Sequence, residues 1–327
     1  MIRAALLLAA VLPLAAQPKL LINARLDTRS AAAGLEPQYR ALLAAQPQPA
    51  WMGYGVPAVR SYGLGCDYVR DGFNTAGVVH LEPPDHAVIL FRVEGGALDR
   101  IRTLSPDCEI DAGDVPVHWL TDVQPAQSVA LLAALASQRD TYGNGAVAAI
   151  AVHADAAADA ALARFVATDQ PDWLRLRTVS LLGSARGRSG LELLKKLIAG
   201  DPNEALRERA VSAVAASREP ESVDLLVSIA RNDTHPRMRM QAISGLNRKK
   251  GRAVIGAITY AIENDSDVQV RRRAVSTLAN LPDGEGIPLL IQVVKTTKDQ
   301  DLRKQAMSSL GQSHDPRALA FFEDVLK

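Results

Sequence analysis

Six histidines have the widest chemical range of any side chains in this sequence, since imidazole can act as an acid, a base or a metal ligand. None of them forms a His-Glu-x-x-His or His-x-His pattern, and no Gly-x-Ser-x-Gly, Walker or dinucleotide-binding fingerprint is present. His80 and His86 flank Pro83 and Pro84, and a small catalytic or ligand-binding site there is one hypothesis. The other histidines are His118, His153, His235 and His314.

Four carboxylates surround Cys108 between positions 107 and 114. Calcium takes oxygen ligands, but the spacing lacks the EF-hand pattern, which favours a solvated loop. Two cysteines without a Cys-x-x-Cys spacing do not indicate a zinc site. We therefore expect no metal or cofactor.

Arginine recurs in the second half of the chain at a fixed step of 32 residues. This Arg column consists of Arg175, Arg207, Arg239, Arg271 and Arg303. An Asp column follows the same step through Asp169, Asp201, Asp233 and Asp265, and a Ser column through Ser180, Ser212, Ser244, Ser276 and Ser308. A repeat of this period predicts a solenoid in which helix pairs pack on their neighbours.

Helical geometry places the Arg column on the packed side of its helices. At about 100° per residue, Leu206, Arg207 and Ala210 share one side of a helix. Glu208 and Ser212 lie on the other side. A partly buried guanidinium needs a partner. We predict that each aspartate of the Asp column accepts from an arginine of its own or a neighbouring repeat, and caps the helix that it precedes.

The repeated residues also carry a resemblance to a known family. They are Asp201, Leu206, Arg207, Ala210, Val211 and Val214, with counterparts Asp233, Met238, Arg239, Ala242, Ile243 and Leu246. This pattern resembles the HEAT-repeat family, and its short period is closest to the E-Z or phycobilisome-lyase-like branch. The resemblance covers roughly residues 140–327. It implies a mostly α fold, a right-handed α-α superhelix of about six helix pairs, in which the Asp and Arg columns are structural.

The same resemblance indicates where a partner would bind. In HEAT proteins the outward side of the second helix of each pair lines the inner curve of the solenoid. Here that side, which we name the second-helix face, offers Arg177, Arg209, Gln241, Arg272, Arg273 and Lys304. An acidic protein segment could bind there, and a solvated charged face is the alternative. Nucleic acid is not expected, because the net charge is only +1 and no aromatic platform interleaves these cations.

Residues 1–16 are typical of a secretory signal peptide, with a single Arg3, an apolar run to Leu12, then Pro13 and small residues. The run is short for a membrane span, so we expect no membrane segment after cleavage; an uncleaved anchor is the alternative. Export implies a periplasmic or secreted protein. In an oxidising compartment Cys66 and Cys108 are expected to pair, the alternative being two buried thiols.

The region before the repeats has a different composition, richer in Gly, Pro, aromatic and β-branched residues. We expect a strand at Lys19–Arg29, a helix at Ser30–Ala45 and a further strand at Gly77–Leu81. Val88–Val93 and Ala97–Leu104, separated by a Gly-Gly turn, predict a β-hairpin.

These observations predict a disulfide-linked β-rich module followed by a solenoid. The predicted segments are a signal peptide (1–16), an N-terminal strand, helix and linker (17–50), the β-rich module (51–124) and the HEAT solenoid (125–327). The leading functional hypothesis is an exported, non-enzymatic scaffold that binds another protein. The alternative is a small catalytic or ligand site in the β-rich module, with the solenoid as its support.

Overall fold

The computed structural model describes residues 20–46, 48–59, 64–66, 84–138 and 143–325. The predicted signal peptide, the predicted strand at Gly77–Leu81 and His80 lie outside these residues. The chain divides into two compact units, residues 1–161 and residues 162–327. The first contains the β-sheets and the second contains repeated helix pairs.

The first unit is organised around a five-stranded sheet. Its strands run in the order β2-β7-β3-β4-β5, and a separate pair joins β1 to β6. β7 is parallel to both β2 and β3, whereas β3, β4 and β5 are antiparallel neighbours. The hairpin prediction is confirmed by β4 and β5. The strands are β1 Leu20–Ile22, β2 Arg25–Ser30, β3 Ala50–Pro57, β4 His86–Glu94, β5 Ala97–Leu104, β6 Glu109–Asp111 and β7 Pro116–Thr121.

Two predictions near the N-terminus are wrong. The single strand expected at Lys19–Arg29 is divided into β1 and β2, because Asn23 has a φ of 48° and turns the chain between them. The helix expected from Ser30 begins later, as α1 Leu35–Ala44, because Ser30 still belongs to β2 and Gly34 has a φ of 125°. The segment 17–50 therefore contributes β2 to the main sheet.

Apolar packing on both faces holds the sheet in place. On one face Tyr39 of α1 meets Phe91 of β4 edge-on, with ring centroids 5.6 Å apart. On the other face a disulfide joins Cys66 to Cys108, which confirms the predicted pairing. Cys108 is buried in a cluster with Leu90 and Trp119.

Two helices, α2 Pro125–Ala136 and α3 Gly143–Val152, belong to the first unit. A Cβ on Gly145 of α3 would lie 2.5 Å from the carbonyl oxygen of Ile101, so only glycine allows α3 to approach β5 this closely. The division of the chain consequently falls further along than residue 125, where the solenoid was predicted to begin.

The second unit alternates first helices and second helices. The second helices begin at intervals of 32 residues, and the Ala residues at 210, 242, 274 and 306 are all buried in them. The first helices bury Leu162, Leu194, Leu226, Ile258 and Leu290. In the last first helix Phe321 is buried, where the 32-residue step had indicated Phe322.

The helix bounds are as follows. The first helices are α4 Ala156–Phe165, α6 Gly187–Gly200, α8 Glu221–Asn232, α10 Arg252–Asn264, α12 Ile287–Thr296 and α14 Pro316–Val325. The second helices are α5 Asp172–Ala185, α7 Glu204–Ala216, α9 Pro236–Leu246, α11 Val268–Ala279 and α13 Gln300–Gly311. Among the described residues, none of these helices has the length and hydropathy of a membrane span.

Candidate functional site

The Arg column links successive repeats through carboxylates. Arg239 donates from Nε and Nη2 to the two carboxylate oxygens of Asp265, each at 2.7 Å. Arg175 makes the equivalent contact with Asp201, and both side chains are almost fully buried. Each guanidinium therefore spans from one second helix to the turn before the next.

The same arginines also close their own turns. Arg207 donates to the carbonyl oxygen of Asp201 at 2.7 Å, and Arg239 donates to that of Asp233 at 2.9 Å. Arg303 makes the corresponding bond to Thr297, which stands where the Asp step would have placed an aspartate. The column thus has a common carbonyl contact, whereas its carboxylate contact varies between repeats.

The Asp column does not cap the second helices, contrary to our prediction. Asp201, Asp233 and Asp265 are the C-cap residues of the first helices, and each accepts from the backbone N–H two positions further on. This turn places the N-cap two residues after the aspartate. The capping side chains are Asn203 for α7, Asp267 for α11 and Asp299 for α13.

The electrostatic consequence is clearest at Asp265, whose side chain is 6% exposed. Burial alone raises the pKa of this carboxyl. Hydrogen bonds from Arg239 and from the Asp267 backbone outweigh burial and hold the pKa below its ordinary value of 3.8. The pair is therefore ionised at neutral pH.

Several members of the second-helix face are bonded to the adjacent second helix. Arg209 donates to Ser180 Oγ at 2.8 Å, and Ser212 donates to Gln241 Oε1 at 3.3 Å. Both contacts join residues 29 positions apart. Arg272 forms an ion pair across the same separation, with 2.9 Å between its Nη2 and Asp301 Oδ2. These polar groups therefore help to hold neighbouring repeats together.

Arg177 stands apart at the start of this face. Its guanidinium lies over the ring of Trp173, 5.5 Å from the centroid, and burial lowers the pKa of Arg177. Its Nη1 is buried and has no hydrogen-bond partner in the described part of the chain. Sequence reasoning selected Arg177 and overlooked Trp173, although the spacing of four residues on one helix could have suggested the pair.

Arg273 and Lys304 are the cations of the second-helix face that stay exposed, on α11 and α13. Across the ranges that the structure describes, no carboxylate lies within ion-pair distance of either side chain. They are the members of the predicted set that remain available to a partner.

A cleft of about 460 Å³ opens between α10 and α12, and the sequence had not indicated it. Ile262, Leu289 and Val293 line it, together with Arg271 and Asp299. First helices begin 31 residues apart from α8 to α10, but 35 apart from α10 to α12, because the loop before α12 includes a short 3-10 turn. This irregular step in the first helices was the signal that sequence reasoning missed.

The Arg271–Asp299 pair at this cleft is looser than its counterparts. Arg271 Nη2 lies 3.5 Å from Asp299 Oδ2, compared with 2.7 Å in the Arg239–Asp265 pair. Asp299 uses its other oxygen to accept from two backbone N–H groups of α13.

The first unit does not bring its described histidines together. His86 contacts Asp85 at the exposed start of β4, whereas His118 lies in β7 with Nδ1 3.0 Å from Asp27 Oδ2. In strand β3 the residue beside His118 is Met52 and the residue beside His86 is Pro57, so roughly 16 Å of strand separates the two imidazoles. No group of three His, Cys, Asp or Glu side chains suited to a metal ion occurs among the described residues.

A buried polar chain links three elements of the first unit. Ser128 Oγ of α2 lies 2.8 Å from the Tyr54 hydroxyl and 2.9 Å from His153 Nε2. His153 Nδ1 lies 2.7 Å from the Ala149 carbonyl oxygen, which can only accept, so Nδ1 carries a hydrogen. In the neutral imidazole Nε2 then accepts from Ser128, which accepts from Tyr54. Because Ser128 and His153 are both 0% exposed, this serine is inaccessible as a nucleophile.

The largest void near the sheet is also too small for catalysis. It has a volume of about 60 Å³ and is lined by Trp51, Leu90 and Trp119, among others. Small-molecule sites usually occupy roughly 300–1,000 Å³. The described part of the first unit therefore offers no site of the alternative kind.

Comparison with known proteins supports the fold assignment of the second unit. Residues 158–247 and 256–327 match the family model for HEAT repeats, which agrees with the repeated helix pairs. No curated protein matches the sequence significantly.

Two solved structures share part of the arrangement. One is the complex of CpcE and CpcF of phycocyanin lyase from Nostoc sp. PCC7120, with 19% identity, a TM-score of 0.36, and coverage of 47% of this chain and 99% of that one. The other is human deoxyhypusine hydroxylase in complex with glycerol, with 18% identity, a TM-score of 0.27, and coverage of 62% and 74%. At these scores neither structure is a guide to the activity of this chain.

Proposed function

We propose that this chain is an exported, non-enzymatic scaffold whose HEAT repeats bind another protein through the second-helix face. The observation that carries the proposal is the exposure of Arg273 and Lys304 on neighbouring second helices, within a face whose other polar groups are bonded to one another. A face fixed in this way loses little conformational entropy on binding.

The charge of the face favours an acidic partner segment. Across α9, α11 and α13 it presents the cations Arg237, Arg272, Arg273 and Lys304 against the carboxylate of Asp301. Opposite charge in the partner would speed association and select orientation. Because these charges are exposed, raising the ionic strength should weaken binding.

The proposal of export is supported by the Cys66–Cys108 disulfide, since disulfides persist mainly in oxidising compartments. The mature protein from the native cell should lack about the first 16 residues, and both cysteines should resist alkylation until they are reduced. Intact-mass measurement of the purified protein tests both points. A full-length chain with two free thiols would rule out export.

Site-specific photo-crosslinking in intact cells tests the binding face. A photoreactive residue at Ser308, an exposed position of α13, should capture an acidic protein. The same residue at Glu263, exposed on α10 beside the cleft, should not capture that protein.

Charge reversal provides the matched comparison. Arg273→Glu combined with Lys304→Glu should reduce the Ser308 adduct at least tenfold, whereas Lys196→Glu, at an exposed position of the first helix α6, should leave it unchanged. Capture from Glu263 alone would move the site to the α10–α12 cleft. An adduct that survives the double reversal would overturn the proposed face.

A further inference from the structure

Strand β2 forms an open edge of the five-stranded sheet. Its neighbour is β7, and five of its six residues are exposed. Leu26, an apolar residue, is 44% exposed. The opposite edge differs, because α3 lies against β5 at Ile101. An edge with unpaired backbone groups is a template for adding another strand.

The hydrogen bonds to β7 identify which residues of β2 face outward. The N–H of Ala31 donates to the carbonyl of Thr121 at 2.8 Å, and the Thr121 hydroxyl donates to the carbonyl of Arg29 at 3.5 Å. In a strand the N–H and C=O of one residue point to the same side, and the side alternates along the chain. Odd-numbered residues therefore face β7. Leu26, Thr28 and Ser30 direct their backbone groups away from the sheet.

We propose that β2 pairs with β2 of a second copy of this chain, antiparallel about a two-fold axis through the facing Thr28 residues. Leu26 then stands opposite Ser30 of the other copy, and the outward groups of these three residues form six backbone hydrogen bonds. Asp27 stands opposite Arg29 of the other copy. Cross-strand pairs of opposite charge stabilise a sheet.

The charges select this register over its neighbours. A slip of two residues one way places Asp27 opposite Asp27, and a slip the other way places Arg29 opposite Arg29. A slip of one residue pairs outward-facing groups with inward-facing ones. Asp27 and Arg29 are each about half exposed, and their present contact of 2.7 Å lies within one strand. Both can therefore exchange this contact for the cross-strand pairs.

Sedimentation velocity over a wide concentration series tests the dimer. The wild-type protein should pass from monomer to dimer as concentration rises. Arg29→Asp places carboxylates opposite one another and should weaken the dimer at least tenfold. Arg100→Asp, an exposed arginine on the other edge strand β5, is the matched control and should behave as wild type.

Cysteine cross-linking tests the register independently of charge. Residues facing each other in a hydrogen-bonded pair lie about 5.5 Å apart at Cα, which suits a disulfide. Thr28→Cys should therefore form a disulfide dimer on mild oxidation. Leu26→Cys and Ser30→Cys should each cross-link poorly alone and efficiently when mixed.

Each result decides the matter. A wild-type protein that stays monomeric throughout, or an Arg29→Asp variant that still folds and dimerises normally, would overturn the proposal. If Leu26→Cys alone cross-linked as well as Thr28→Cys, this register would be wrong. Thermal unfolding of every variant confirms that a lost dimer is not a lost fold.

Discussion

Arg239 and Asp265 form a two-bonded ion pair between successive repeats, with both N–O distances at 2.7 Å. The two side chains are 11% and 6% exposed. Arg239 also donates to the Asp233 carbonyl, so this one residue joins a second helix to the turns on either side of it.

Arg239→Ala should lower the free energy of unfolding by about 3 kcal/mol, because removing one member of a buried pair strands the other charge. Denaturant unfolding measures the change. Arg273→Ala, at an exposed position on the next second helix, should change stability by less than about 0.5 kcal/mol. If the two variants lost similar stability, the structural role of the Arg column would be refuted.

The same pair predicts how stability depends on pH. The folded pKa of Asp265 lies below 3.8, so its contribution is present above that pH and is lost as pH falls through the folded pKa. The stability difference between wild type and Arg239→Ala should therefore be constant at neutral pH and shrink in acid. Unfolding of both proteins across this range measures it. A difference that grew on acidification would contradict the assignment.

The capping residues give a third prediction. Asp267 accepts from the N–H groups of Gln269 and Val270, at 2.7 and 3.3 Å. Asp267→Ala should cost about 1 kcal/mol of stability, the usual effect of losing an N-cap. Ser266→Ala, one residue earlier and exposed, is the control and should be close to neutral. Equal losses would mean that Asp267 does not cap α11.

The repeats could be predicted from sequence because their contacts recur at a fixed step. Arg239 meets Asp265 26 positions later, within one period, and the columns record that arrangement. The error in the capping role arose because α11 begins at Val268, two residues later than the prediction required. Helix ends depend on local turns that periodicity does not report.

The first unit was less predictable because its contacts are not local. β2 pairs with β7 between residues about 90 positions apart, and no repeated pattern marks such a pairing. The hairpin of β4 and β5 was predictable because a two-glycine turn joins its strands directly. The Tyr54, Ser128 and His153 contacts combine a strand and two helices, so only the fold brings them together.

This buried chain supports a last prediction, which a double-mutant cycle can resolve. Ser128→Ala removes the partner of the Tyr54 hydroxyl in a site where burial already raises the pKa of Tyr54, so stability should fall by about 2 kcal/mol. Tyr54→Phe removes the hydroxyl itself and should cost only about 1 kcal/mol.

In the double variant no hydroxyl is stranded at position 54, so the combined loss should be smaller than the sum of the two single losses. Denaturant unfolding of the four proteins measures the coupling. Strict additivity would show that Tyr54 and Ser128 do not act as a pair, and the stability of the sheet would then rest on its apolar packing alone.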